Sequence, residues 1–172
     1  MTSYDNPFHL NAKQVEVAKQ CFQFWTQGEP KLERIHAMGP IASAYAESSF
    51  IPTAVGDRGK AFGLHQLHSD RCILIRDGQH LHGHPIWPGC GIDVAKLPSV
   101  QDQLKAVWWE LQHSEHKALQ NLKLTHDAKA AGLAFCMFYE RPGAKGQGEH
   151  RAMLAAQLLE WYDSIFPAVA DV

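Results

Sequence analysis

The hydrophobic positions of the chain recur mainly with the period of an α-helix. A first helix is predicted between Asn11, a typical N-cap residue, and Gly28, a typical helix stop. Its apolar stripe consists of Val15, Ala18, Phe22 and Trp25. A second helix is predicted over residues 30–48, and because residues 41–46 are apolar or small on nearly all sides, we expect it to be buried. Gly39–Pro40 is expected to kink or divide it.

The middle of the chain has a different residue pattern. Glycine and aspartate punctuate residues 52–67, which predicts a turn followed by a small β-hairpin. Ser69 is predicted to cap a short helix that runs through Ile75. Residues 77–98 are rich in histidine, glycine and proline and are predicted to form a loop, long enough to suggest a functional role.

Three further helices are predicted in the second half of the chain. The first has its apolar stripe within residues 100–111, the second begins at the cap Thr125, and the third covers residues 147–166. The pattern therefore predicts an α+β, mostly α fold: a helical bundle with one small β-hairpin that lines a cleft. A length of 172 residues fits a single domain, residues 1–172, with a core over about residues 11–166.

Composition narrows the classes of partner. Hydrophobic residues make up 45% of the chain, enough for a sizeable core, and the net charge of -2 lacks the basic bias of nucleic-acid-binding proteins. No apolar run approaches the roughly 20 residues of a membrane span, so membrane insertion is not expected. Residues 1–11 are polar and lack the features of a signal peptide. We therefore expect synthesis in the cytoplasm, with delivery by some other route if the protein acts outside.

One acidic residue occupies an unusual position. Glu47 closes the second, largely buried helix, and carboxylates are rarely buried without a partner. Removal from water favours the protonated form of a carboxyl group, which suits a general acid. Alternatively, Glu47 lies at a solvated helix end.

Short motifs around Glu47 match a known group of enzymes. Residues 47–55 read Glu-Ser-Ser-Phe-Ile-Pro-Thr-Ala-Val, and residues 59–66 read Gly-Lys-Ala-Phe-Gly-Leu-His-Gln. This pattern resembles the core of lytic transglycosylases and goose-type lysozymes. The step Gly-Asp-Arg-Gly at residues 56–59 and the late Tyr-Glu-Arg-Pro at residues 139–142 are more similar to the phage tail lysozyme family. The resemblance extends over about residues 11–166.

The resemblance implies an activity and a set of roles. It implies a bacteriolytic glycosidase that cleaves the β-1,4 bond between N-acetylmuramic acid and N-acetylglucosamine of peptidoglycan, without a cofactor. Glu47 would be the catalytic acid, with Ser48 beside it in the motif, Gln66 would bind sugar substituents, and residues 139–142, beginning with Tyr139, would line the cleft floor. Expected partners are glycan strands and other phage tail or virion proteins. The enzyme would be carried in the tail or released through a holin-like pore.

A second catalytic carboxylate has two candidates. Asp57 lies at the turn into the predicted hairpin, where it can instead be an ordinary turn residue. Glu140 ends a predicted helix beside Arg141, where it can instead form a local ion pair. A second acid would give hydrolysis, whereas the family implies that without one the C6 hydroxyl of the sugar attacks, as in lytic transglycosylases. Glu110, within a helix, is interpreted as structural.

Aromatic residues can stack on sugar rings. Trp87 lies on the predicted loop rather than on an apolar stripe, which makes it the preferred candidate for a subsite wall. Tyr45 is close to Glu47 in sequence but on the buried face, and it fits either the core or the site.

Two alternative functions remain open. Histidines crowd residues 65–84, with Asp70, Cys72 and Cys90 nearby, and such a cluster could hold zinc for a cell-wall amidase or peptidase. Cys72 and Cys90 could also pair as a disulfide, whereas Cys21 and Cys136 lie in apolar runs typical of the core. The other alternative is a glycan-binding tail module without catalytic activity.

Overall fold

Seven α-helices and two small antiparallel sheets make up the part of the chain that the computed structural model describes, residues 6–143 and 145–166. The predicted α+β, mostly α class is thus confirmed. The helices are α1 (Ala12–Gln27), α2 (Arg34–Ser48), α3 (Ser69–Asp77), α4 (Val100–Gln112), α5 (His116–Lys123), α6 (Ala128–Phe135) and α7 (Gln147–Ile165). A π-helical turn, Cys136–Glu140, continues α6.

Helix α1 begins and ends at the residues that the sequence predicted. Asn11 caps it by accepting a hydrogen bond from the Gln14 backbone N–H at 3.1 Å, and the Gln14 side chain accepts one from the Asn11 N–H at 3.0 Å. This capping box satisfies two backbone donors that a helix start leaves unpaired. The Gln14 amide also donates to the Ser49 carbonyl at 2.9 Å, so the start of α1 is tied to the end of α2.

Helix α2 is the central helix and packs against α6 and α7. Residues 36–44 are all buried, which confirms the predicted burial of residues 41–44, whereas Tyr45 and Ala46 are half-buried. The helix continues through Gly39 and Pro40 and is not divided. Gly39 serves close packing instead: a Cβ there would lie 2.8 Å from Leu122 Cδ1 and 3.0 Å from Phe135 Cβ. The glycine therefore lets α5 and α6 approach α2 more closely than any other residue would allow.

The predicted hairpin after α2 is present and has a third strand. Strands β1 (Val55–Gly56), β2 (Ala61–Phe62) and β3 (Leu67–His68) pair in that order, antiparallel throughout. The buried side chain of Gln103 on α4 anchors this region, since it accepts from the Leu64 N–H at 2.8 Å and donates to the carbonyls of Pro52 and Pro98 at 2.9 and 2.8 Å.

The prediction of a loop over residues 77–98 was wrong in its first half. Helix α3 extends to Asp77, and strands β4 (Gly78–Leu81) and β5 (His84–Pro88) follow as a second hairpin. His82 and Gly83 both have positive φ, 50° and 79°, the backbone twist that suits a two-residue hairpin turn. A two-stranded ribbon has unpaired outer edges, which is where a strand tolerates proline.

The described residues of the second half of the chain form four helices rather than the three predicted. The missed helix, α5, has only eight residues, of which Ala118 and Leu122 are buried, so its apolar stripe is too short to stand out. Thr125 does not cap α6; Asp127 does, by accepting from the Ala130 N–H at 2.7 Å. Helix α7 matches its predicted range closely.

Two further expectations concern the pairing of the cysteines and the absence of a membrane-spanning helix. All four cysteines are free thiols, so Cys72 and Cys90 do not form a disulfide, and Cys21 and Cys136 are core residues, as predicted. Within the described residues, no helix combines the length and hydrophobicity needed to cross a bilayer.

Candidate active site

A cleft of about 350 Å³ lies where the end of α2 meets the β1–β3 sheet. Its lining residues are Glu47, Asp57, Ala61, His65, Gln66, His68, Arg71 and Glu140. The three carboxylates that the sequence singled out as catalytic candidates are thus brought together from separate parts of the chain. Asp57 comes from the turn after β1, and Glu140 comes from the turn after α6.

Glu47 lies in the last turn of α2, just before Ser49 ends the helix in a left-handed conformation. Its side chain is 30% exposed, and its Oε1 lies 2.5 Å from Nη2 of Arg151 on α7. The sequence predicted a largely buried acid, with a solvated helix end as the alternative. The structure instead has a partly exposed carboxylate that forms an ion pair on one side and faces the cleft on the other.

The buried acid of the cleft is Glu140. Its side chain is 12% exposed, its Oε2 lies 3.4 Å from the same Nη2 of Arg151, and its Oε1 has no hydrogen-bond partner among the described residues. Burial raises the pKa of Glu140 above its ordinary value, although the charge of Arg151 acts in the opposite direction. Because one nitrogen contacts both acids, the two contacting oxygens of Glu47 and Glu140 are at most about 6 Å apart.

Arg151 was missed at the level of sequence. Its side chain is 9% exposed, and it occupies the inward face of α7 together with Leu154, Ala155 and Leu158. A charged residue on an otherwise apolar inward face was the available signal. Helix α6 packs closely against α7 at Arg151, since a Cβ on Gly132 would lie 2.5 Å from the Arg151 carbonyl oxygen.

Asp57 occupies the open rim of the cleft. Its side chain is 55% exposed, and its Oδ2 lies 3.7 Å from Nε2 of His68. It has a positive φ of 43° in the turn between β1 and β2. Both interpretations of this residue, turn former and second acid, are compatible with its position.

A polar network supports the cleft from below. The Glu110 carboxylate, 1% exposed, accepts two hydrogen bonds of 2.9 Å from Arg71 and one of 2.6 Å from the Tyr139 hydroxyl. The Arg71 guanidinium also lies over the Tyr139 ring, 4.3 Å from its centroid. Glu110 therefore has the structural role that the sequence suggested. Tyr139, itself 1% exposed, lies beneath the cleft and not on its surface, which corrects the expectation that it contacts substrate.

His65 is a second buried titratable group beside the cleft. Its Nδ1 lies 3.0 Å from Ser43 Oγ, and its Nε2 has no partner among the described residues. Burial, assisted by the charge of Arg71, lowers the pKa of His65 from 6.5 to about 3. The imidazole is therefore neutral near physiological pH.

The other residues expected to bind substrate are dispersed. Gln66 lines the cleft, but its amide donates to the carbonyls of Ala54 and Gly63, at 3.2 and 2.9 Å. Ser48 is buried and its hydroxyl donates to the Ala44 carbonyl at 2.9 Å, so it does not face the cleft.

The two aromatic candidates also lie outside this cleft. Tyr45 packs between Phe8 and Phe50, with ring centroids 5.1 and 5.7 Å away. Trp87, half-buried on β5, packs near His113 and is not part of the cleft lining.

The histidine cluster does not assemble into a metal site. Across residues 6–143 and 145–166, no group of three or more His, Cys, Asp or Glu side chains is arranged to hold a metal ion. His65 is buried against Ser43, whereas His80, His82 and His84 are exposed on the second hairpin. The geometry thus gives no support to the zinc alternative.

Comparison with known protein families shows to which family the chain belongs. The sequence model of the phage tail lysozyme family matches residues 16–163, which is most of the chain. The chain belongs to the phage tail lysozyme family. A comparison with curated proteins found no match. Membership confirms the resemblance inferred from the motifs and supports, in general terms, a phage-associated, lysozyme-like glycosidase that acts on peptidoglycan.

Proposed function

We propose that this member of the phage tail lysozyme family cleaves the β-1,4 bond between N-acetylmuramic acid and N-acetylglucosamine, with Glu47 as the acid that protonates the glycosidic oxygen. The observation that carries the proposal is the position of Glu47: it is a carboxyl group at the end of the buried helix α2, in a cleft that also holds Asp57 and Glu140. Paired carboxyl groups across a cleft are the groups that glycoside hydrolysis requires.

We propose Asp57 as the second catalytic carboxylate. Glu140 is largely buried and shares Arg151, whereas more than half of the Asp57 side chain is exposed at the cleft rim. Asp57 is therefore accessible to a sugar ring or a water molecule that enters the cleft. In this scheme Glu47 gives its proton to the leaving oxygen, and Asp57 assists the attack of water or stabilises the oxocarbenium-like transition state.

The Glu47→Gln variant tests the assignment of the acid. Glutamine is nearly isosteric but has no proton to give, so we expect wall-degrading activity to fall by about 10²- to 10⁴-fold, the usual contribution of a general acid. Glu115→Gln is the matched control, because Glu115 is also a partly buried glutamate paired with an arginine, Arg141, but does not line the cleft. A folded Glu47→Gln protein with wild-type activity would remove Glu47 from the mechanism.

The products distinguish hydrolysis from transglycosylation. Hydrolysis leaves muropeptides with ordinary reducing ends, whereas attack by the C6 hydroxyl leaves anhydro ends that are lighter by one water. Mass spectrometry of the digested wall separates the two, and reaction in ¹⁸O-water labels only the hydrolytic products. We expect labelled reducing ends, as an attack of water assisted by Asp57 requires.

We further propose that the protein acts on the wall either as part of the virion tail or after release through a holin-like pore. Membership of a tail lysozyme family supports the first route and a contact with other tail proteins. Mass spectrometry of purified particles tests it: the protein should be present in intact virions at a fixed ratio to tail proteins. If it occurs only in the soluble lysate, it acts in lysis instead.

A further inference from the structure

We propose that Glu47, Arg151 and Glu140 form a proton-exchanging triad, in which one guanidinium moves between two carboxyl groups that share one proton. This inference rests on the proposed role of Glu47 as the acid. It addresses a specific difficulty: a carboxylate that is paired with an arginine holds no proton to give, yet the acid of a glycosidase must be protonated when substrate is bound.

The geometry of Arg151 suggests such an exchange. Its Nη2 contacts Glu47 at 2.5 Å and lies 3.4 Å from Glu140, so a small movement of one nitrogen would exchange the strong contact for the weak one. The two acids arrive from different elements, α2 and the turn after α6, while Arg151 comes from α7. Glu140 Oε1 and Arg151 Nε, both buried, have no partners among the described residues. The triad is thus incompletely paired in its present arrangement.

The charges around the triad leave room for one proton. Two carboxylates and one guanidinium would carry a net negative charge in a partly desolvated site, which is costly, and one shared proton neutralises it. The other buried titratable groups near the triad are already paired or neutral. On the sheet side, His65 is neutral, and Asp57 contacts His68 on the rim; below, Arg71 is engaged by Glu110 and Tyr139. On α7, Glu149 is exposed.

The exchange balances in protons and charge. In the free enzyme Glu140 holds the proton and Arg151 pairs with the Glu47 carboxylate. When substrate covers the cleft and removes water from Glu47, the proton passes from Glu140 to Glu47, and Arg151 turns to the newly ionised Glu140. Glu47 then protonates the leaving oxygen, becomes a carboxylate again and regains Arg151. Glu140 recovers a proton from solvent before the next cycle. In this scheme Glu47 touches substrate, whereas Arg151 and Glu140 are positioning residues.

Titration of the free protein tests the resting arrangement without any activity assay. In protein labelled with ¹³C at the glutamate carboxyl carbons, we expect one NMR resonance to titrate above the ordinary glutamate value of 4.5 and to be absent from Glu140→Gln. Arg151→Met should raise the pKa of Glu140 further, because the cation that favours its carboxylate form is removed. Glu115→Gln, the control, should leave the resonance in place. If Glu140 titrates at or below 4.5, the inference is wrong.

The pH dependence of kcat/KM tests whether Arg151 and Glu140 set the protonation of the acid. Glu140→Gln removes the proton store and leaves Arg151 wholly to Glu47, so we expect the alkaline limb of the profile to move down by about one pH unit. Arg151→Met should move this limb upward, and Arg151→Lys, which keeps the charge, should move it less than methionine does. The opposite directions of the two shifts are what a purely structural role would not produce.

The variants also separate this inference from the proposed function. Suppose that the wild-type protein is active and that Glu140→Gln and Arg151→Met lower kcat/KM but leave the alkaline limb in place. The triad is then structural and the inference is overturned. If wild type does not cleave peptidoglycan, the proposed function fails, whatever the titration shows. Arg34→Met controls for the loss of an arginine, because Arg34 on α2 pairs with Asp163 on α7, away from the cleft. This variant should not shift the alkaline limb.

Discussion

The hydroxyl of Tyr139 donates a hydrogen bond of 2.6 Å to the carboxylate of Glu110, and each of these residues is only 1% exposed. Its chain neighbour, Glu140, lines the cleft. Two consecutive residues of one motif therefore have opposite surroundings: the first stabilises the support beneath the cleft and the second belongs to the cleft itself. A motif that matches an enzyme family does not consist only of residues that contact substrate.

Tyr139→Phe separates stability from substrate binding. Removal of the hydroxyl leaves a buried carboxylate with one hydrogen bond fewer, which should lower the free energy of unfolding by about 1–3 kcal/mol. We expect KM for cell-wall substrate to be unchanged. Urea denaturation and a turbidity assay give the two quantities. A raised KM with unaltered stability would mean that the phenol reaches the sugar after all.

Asp57→Asn tests the proposed second acid. Because the side chain is exposed, we expect the stability to change by no more than about 0.5 kcal/mol. The value of kcat should nevertheless fall at least about 10²-fold, as for loss of a catalytic acid–base group. Asp70→Asn, an exposed acid outside the cleft lining, is the control. Retained activity, together with anhydro products, would favour attack by the C6 hydroxyl.

Gly132→Ala tests whether the contact between α6 and α7 positions Arg151. The new Cβ would lie 2.5 Å from the Arg151 carbonyl oxygen and 2.7 Å from Ala155 Cβ, so the helices must separate. We expect a destabilisation of about 1–3 kcal/mol, typical of overpacking, and reduced activity. Gly143→Ala, where a Cβ meets nothing within 4 Å, should have neither effect. Both are measured by thermal unfolding and a wall-degradation assay.

His65 makes the fold sensitive to acid. Its pKa is about 3 in the folded protein and 6.5 ordinarily, so below about pH 6.5 the unfolded chain binds a proton that the folded chain does not. The stabilising contribution of the neutral imidazole is complete above that pH and is lost as the pH falls. His65→Asn should reduce the slope of unfolding free energy with pH, by at most about 1.4 kcal/mol per pH unit. If the slopes are equal from about pH 7 to 4, His65 is not the sensitive group.

Chelation tests the remaining zinc alternative. The candidate ligands are dispersed between the cleft, the core and the exposed second hairpin, so we expect glycan cleavage to be unchanged after EDTA treatment. Metal analysis of the purified protein is made in parallel. Activity that is lost on chelation and restored by zinc would instead favour a metal-dependent amidase or peptidase.

The sequence predicted those parts of the fold whose signals are local. The Asn11 cap, the Gly28 stop and the buried stretch of α2 follow from neighbouring residues alone, and all three are confirmed. The short helix α5 and the β4–β5 hairpin were missed, because a short apolar stripe and a His–Gly turn carry weak local signals.

The carboxylates of the site could be nominated from the sequence, but their environments could not. Glu47, Asp57 and Glu140 do share one cleft, yet the buried acid is Glu140, and its burial depends on α7, which contributes Arg151. Arg151 is separated from Glu47 by 104 positions, and no local pattern reports a contact of that kind. The placements of Trp87 and Tyr45 likewise depend on packing between distant elements.

The hydrogen bond from Gln14 to the Ser49 carbonyl couples the start of the first helix to the end of the helix that carries Glu47. It braces a left-handed turn two residues after Glu47. Fusing a bulky partner immediately upstream of Asn11, or trimming the chain into the capping box, would therefore loosen the turn that follows Glu47. Engineered versions of this protein should keep their additions away from that end.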